Sequence, residues 1–204
     1  MGESGITGEK GREIVETATT LFFEKGYDNT SMDDVAAYLR IDQDVLRRHF
    51  PEKLDLVSSV VDYVIMRTTE DNIAEPPESA ASLDEYRDYI KRLGSRVVNS
   101  VRDNPKMYYW FFTEAPRIDE TIAVKVNAVM TLLAAYTEKV IQIGMARGFL
   151  RPDVHAYQAS FAINGMIFEA IRKLSQEPET IDSEQQAWHE TIVSLMLDGL
   201  EQRP

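Results

Sequence analysis

The chain has no cysteine. That excludes disulfide bridges, a thiolate nucleophile and any Cys-ligated metal site. Histidine occurs three times, at positions 49, 155 and 189. No two of them stand at i, i+4 spacing, so a metal site is not expected. No apolar run is long enough to span a bilayer. The opening MGESGITGEKGR lacks a signal-peptide core, and Ile6 stands where N-myristoylation needs Ser or Thr. A soluble, cytoplasmic protein with no membrane partner is the expectation. Nucleophile-elbow, P-loop and dinucleotide fingerprints are also missing, so neither an enzyme nor a cofactor is expected. Strict period-two alternation never persists over a useful length, which argues against a sheet protein.

What is present is helical periodicity. With 204 residues, 44% of them hydrophobic, the chain can bury a real core in one or two domains. Ile14, Val15, Ala18, Leu21 and Phe22 form one apolar stripe, and Gly26 follows as a stop. Thr30-Ser31-Met32-Asp33-Asp34 offers a capping box in either register, opening a second helix with Val35, Ala36 and Leu39 inward. After the turn Leu39-Arg40-Ile41, Asp42 can cap a third helix, Gln43 to Phe50. Pro51-Glu52-Lys53 starts a fourth, with Leu54, Val57, Val60, Val61, Val64 and Ile65 continuing to about Ile73. Ala74–Ser79, with Pro76 and Pro77, breaks it. Ser82 can cap the next helix, Leu83 to Arg102. Asn104-Pro105 and Ala115-Pro116 isolate a short aromatic helix. Long helices follow from Asp119 to Arg147, ended by Gly148, and from Asp153 or His155 to about Ser175. Asp182 has the spacing of a final cap. The expected fold class is all-α with about nine helices.

Net charge is −12. Residues 1–55 hold seven Lys/Arg (Lys10, Arg12, Lys25, Arg40, Arg47, Arg48, Lys53) against twelve Asp/Glu, a net of −5. Phosphates feel charge within about a Debye length, roughly 8–10 Å at physiological salt. The cluster Arg40, Arg47, Arg48 and Lys53 therefore matters more than the total. The acidic total weakens non-specific DNA binding without excluding specific binding.

The string GYDNTSMDDVAAYLRIDQDVLRRHFPEKLDLV resembles the N-terminal signature of the tetracycline-repressor (TetR) family of bacterial transcription regulators. The shared marks are Phe22, Gly26-Tyr27, Thr30-Ser31, Asp34-Val35-Ala36, Leu46, His49-Phe50 and Lys53-Leu54, covering about a quarter of the chain. A weaker echo is Arg147 to Asp153, which looks like the family's junction between two long C-terminal helices. The resemblance implies a helix-turn-helix DNA-binding domain at 1–53 and a ligand-binding and dimerisation domain at 54–204. Thr30, Ser31, His49 and Lys53 stand where the family contacts phosphate. Arg40 and the third-helix positions Gln43, Asp44, Arg47 and Arg48 complete the expected DNA face. Three departures are evident: Arg40 replaces the usual turn Gly, Asp44-Val45 a small Gly-Thr pair, and Arg47 a Tyr. A left-handed Arg40 would cost roughly 1–2 kcal/mol. Asp42 and Asp44 suit a helix N-terminus but stand near phosphate or favour cytosine amino groups.

The aromatic run Met107 to Phe112 cannot bury every side against one partner. Tyr109, Trp110, Phe112, Met130 and Asn164 are the candidates for lining a small-molecule pocket, with plain core packing as the alternative. The helix Ala156–Leu174 is apolar nearly all round. With the Trp188–Leu200 helix it resembles the family's four-helix dimer contact, an intrachain bundle being the alternative. The expected function is a homodimeric repressor, released from a pseudo-palindromic double-stranded DNA operator by a small apolar effector. The alternative is a TetR-fold binding or interaction protein whose DNA reading is altered or lost.

Overall fold

The computed structural model describes residues 8–72, 78 and 80–201, and the side chains of these except 69–72. The described residues form nine α-helices: α1 Glu9–Lys25, α2 Met32–Leu39, α3 Gln43–His49, α4 Lys53–Asn72, α5 Leu83–Asp103, α6 Pro105–Tyr109, α7 Glu120–Ala146, α8 Ala156–Gln176 and α9 Ile181–Leu200. The expected all-α architecture is the one observed. The break placed at Ala74–Ser79 lies, Glu78 apart, outside the described residues. By compactness the chain divides into two units, Met1–Arg67 with Trp110–Val126, and Thr68–Tyr109 with Asn127–Pro204. This is a division by compactness, whereas the boundary expected at 53 and 54 is one of roles.

In the first unit the apolar stripe of α1 is fully buried, from Ile14 to Phe22. Gly26, at φ 82°, ends it, its N–H donating to the Phe22 carbonyl at 3.0 Å. Ser31 and Asp34 close a reciprocal capping box at the start of α2. Leu56, Val57, Val60, Val61 and Val64 carry α4 into the core. Leu54 is exposed, and Leu56 takes the buried position near it. After α6 the chain widens into a π-helical turn, Trp110–Glu114, and then a 3-10 turn, Ala115–Arg117. Lys125 on α7 donates to Ser58 Oγ at 2.8 Å and to the Asp62 carboxylate at 2.7 Å.

In the second unit α8 lies against α5, α6 and α9. Ser82 caps α5, accepting from the Glu85 N–H. Tyr86, Tyr89, Ile141, Leu150 and Ile163 form the centre of the core, with the Tyr89 and Tyr136 hydroxyls 2.6 Å apart. Asp182 is not the cap of α9. A 3-10 turn, Pro178–Thr180, runs straight into the helix, so Thr180 is the cap residue and Asp182 lies in the first turn. There its charge suits the helix dipole.

Gly144 is needed where α7 meets the following turn. Its carbonyl accepts the N–H groups of Phe149 and Leu150. A Cβ at this position would lie 2.8 Å from Leu150 side-chain carbons and 2.9 Å from the Tyr86 hydroxyl. Tyr86 is itself anchored, donating to the Val140 carbonyl at 3.1 Å. Gly144→Ala should therefore destabilise the protein by about 1–3 kcal/mol through overpacking. Urea denaturation followed by circular dichroism is the check, and an unchanged midpoint would contradict this packing.

Candidate nucleic-acid interface

α3 is held by a tight turn. α2 ends in a Schellman arrangement, with the Ile41 N–H donating to the Ala36 carbonyl and the Arg40 N–H to Ala37. Arg40 takes up φ 54°, ψ 43° and is the only non-glycine with positive φ among the described residues. The conditional strain at this residue is thus realised. Arg40→Gly should raise stability by up to about 1 kcal/mol, because glycine takes the left-handed region without a Cβ clash. It also removes an exposed cation, so on a DNA-binding role for this face stability and DNA affinity should move in opposite directions. A melting curve and a binding titration on the same preparation check both.

Leu46 is fully buried and anchors α3 inward, while Gln43, Asp44, Arg47 and Arg48 are exposed. Arg48 Nε donates to the Asp44 backbone carbonyl at 3.1 Å, bracing its guanidinium along the helix. The Gln43 side-chain amide donates to Asp33 on α2. Asp44, Arg47 and Arg48 together line an open surface hollow of about 560 Å³. His49 is half-buried, its ring tilted against Phe50.

Three resemblance-based positions are placed less simply. Thr30 is buried, and its hydroxyl donates to the Gly26 carbonyl at 2.9 Å. Its side chain thus ties α1 to α2 and is off the exposed face. Ser31 is exposed, but its hydroxyl donates to Asp34 at 2.6 Å within the capping box. Those hydrogen bonds hold the Asp34 carboxyl below its ordinary range. Lys53 folds back on Tyr27. Its ammonium donates to the Tyr27 carbonyl at 2.5 Å and sits 3.8 Å from the ring centroid. Burial pushes the Lys53 ammonium down, partly offset by Asp28 and Asp34.

The candidate effector residues divide between the units. Trp110 and Phe112 belong to the first, Tyr109, Met130 and Asn164 to the second. Trp110 is 1% exposed, stacked on Phe22 at 6.3 Å and tilted against Phe23 at 5.3 Å. It is a core residue of the first unit, although its buried Nε1 has no hydrogen-bond partner among the described residues. Phe112 is half-buried and edge-on to Phe111. Tyr109 and Met130 are half-buried. Asn164 is buried and satisfied, its amide donating to Thr137 Oγ1 at 3.0 Å and to the Ser160 carbonyl at 2.8 Å. Pattern reading missed Tyr27 and Asp33, which hold Lys53 and Gln43 from 26 and 10 residues away. No local spacing signals either contact. Among the described residues no group of three or more His, Asp or Glu is placed to hold a metal ion, and no helix is long and apolar enough to cross a membrane.

Residues 14–60 match the sequence model of bacterial regulatory proteins of the tetR family. The chain is 37% identical over 60 residues to the uncharacterised HTH-type transcriptional regulator YuxN of Bacillus subtilis, covering 29% of this chain and 21% of that protein. It is 26% identical over 176 residues to YerO of the same organism, covering 77% and 57%. It thus spans between a fifth and three fifths of these relatives. The fold is similar to that of a TetR transcriptional regulator from Chloroflexus aurantiacus (TM-score 0.76, 19% identity, 94% and 96% of the two chains). It is also similar to AibR, solved with isovaleryl coenzyme A and operator DNA (TM-score 0.66, 19% identity, 90% and 96%). The capped α2, the left-handed turn and the exposed α3 are the geometry of a helix-turn-helix head, and the remaining helices follow the fold of those solved regulators: residues 14–60 match the tetR family of bacterial regulatory proteins, and the chain as a whole has that fold.

Proposed function

We propose that this protein is a transcriptional regulator that binds a pseudo-palindromic DNA operator as a homodimer, acts as a repressor, and is released by a small apolar effector. The observation that carries this reading is the exposed Arg47 and Arg48 on an α3 whose other side is anchored by Leu46. An arginine fork reads guanine and grips phosphate from such a helix in the major groove. Dimerisation is supported by exposed apolar side chains in the second unit, Tyr157 and Phe161 on α8 and Leu195 on α9. An effector is proposed for the second unit, with Tyr109 and Met130 as its half-buried candidates. In the first unit Trp110 is retained as a candidate through its buried indole N–H, which has no hydrogen-bond partner among the described residues, and Phe112 only by its half-burial. AibR, solved with an acyl-coenzyme A and operator DNA together, is the precedent for pairing the two ligands. Such an effector acts only through its differential affinity for the DNA-competent and released states.

The second reading is a protein of the same fold whose DNA reading is lost. It is favoured by the acid-rich head and by the side chains of Thr30, Gln43 and Lys53, which are already engaged within the protein. Selection of bound duplexes from a random pool at low salt separates the two. An enriched inverted repeat is the outcome expected of the regulator; no enriched motif would favour the second reading. A dimer mass by light scattering at micromolar concentration is expected alongside it, and a monomer would remove the palindrome.

A further inference from the structure

We propose that Asp44 is a specificity-determining residue that demands a cytosine in each operator half-site. The inference rests on the reading above that α3 enters the major groove. At about 100° per residue, Arg47, Asp44 and Arg48 fall near −60°, 0° and +40° around the α3 axis. Buried Leu46 lies about 160° from Asp44, on the far side. Asp44 is therefore central in the exposed stripe, with an arginine on each flank, and all three line one hollow.

Neither arginine neutralises it. Arg48 Nε is bonded to the Asp44 backbone carbonyl, not to its carboxylate. Among the described residues no hydrogen bond or ion pair holds the side chain of Asp44 or of Arg47. Gln43, whose amide is suited to adenine, is held by Asp33. The side chain at the middle of the reading surface is thus a carboxylate, an acceptor with nothing to donate.

In the major groove a carboxylate is repelled by guanine O6 and N7, by thymine O4, by adenine N7 and by phosphate. It is welcome at the cytosine amino group, whose paired guanine presents O6 and N7 to an arginine fork. Adenine's amino group is a poorer fit because N7 stands beside it. Asp44 thereby acts chiefly by rejecting wrong sequences. In a head with net charge −5 over residues 1–55, where non-specific attraction is weak, that rejection shapes the whole binding profile.

The test uses full-length protein, wild type beside Asp44→Ala and Asp44→Asn. Each is titrated against the duplex selected by the wild type, against that duplex substituted at every position, and against random-sequence duplex. Wild type should show one cytosine per half-site whose replacement costs about tenfold in affinity. Both variants should lose that preference to within about twofold, keep the preferences at other positions, and bind random duplex several-fold more tightly. Asp44 is exposed, and circular dichroism melts confirm that each variant is folded. Variants that keep the cytosine preference, or lose a preference for another base, overturn the assignment while the regulator reading stands. A wild type that selects no duplex overturns the regulator reading itself.

Discussion

Replacing Arg47 and Arg48 together by alanine should reduce affinity for the selected duplex at least about thirtyfold. Each bidentate arginine–base contact contributes about 1–3 kcal/mol, and two lost contacts at the lower end already give that factor. The side chains are exposed, and the anchor of the helix is Leu46, so the melting temperature should barely move. Salt supplies a second, independent readout. If either arginine also neutralises a phosphate, the slope of log affinity against log salt should flatten by about one for each such contact. Fluorescence anisotropy across a salt series measures both. A double variant within threefold of wild type would take α3 out of the groove and leave the fold assignment untouched.

Truncating Trp110 to alanine is the substitution with the largest expected effect on stability. Its indole is almost fully buried between Phe22 and Phe23 at the π-helical turn. Removing an aromatic side chain from such a site costs about 3–5 kcal/mol in lost burial and residual cavity. That is a large share of the stability of an ordinary domain. Trp110→Phe should cost much less, since an aromatic ring stays and the buried indole N–H, which has no partner among the described residues, is eliminated. Chemical denaturation followed by far-ultraviolet circular dichroism compares the two. Should Trp110→Ala lose less than about 1 kcal/mol, the indole is not the core residue described here. Should an apolar compound stabilise the wild type and not Trp110→Phe, the indole N–H is a ligand donor as well.

The helices were legible because helix formation is a local affair. Apolar stripes recur over three and four residues, and caps form within one turn. Ser31 with Asp34, Ser82 with Glu85, and Gly26 all act over that range. The charged stripe of α3 was legible for the same reason, since Arg47 and Arg48 project opposite a leucine on one short helix, while the DNA-reading role proposed for it came from the resemblance. The left-handed Arg40 was legible as a condition through the resemblance, because the resembled family usually has glycine at that turn position and glycine takes the left-handed region without a Cβ clash. What sequence alone determined, then, was the helical inventory, the head and its charged stripe. Tertiary structure decided which polar groups remain available. Thr30 turns inward to the Gly26 carbonyl, Gln43 is held by Asp33, and Lys53 is drawn over Tyr27. It also decided that Trp110 belongs with the first unit's aromatics and that Asn164 is already satisfied by Thr137, 27 residues away. A side chain's partners are set by which distant elements are brought within about 3–4 Å. That depends on how whole helices are assembled, and no window of a few residues contains it.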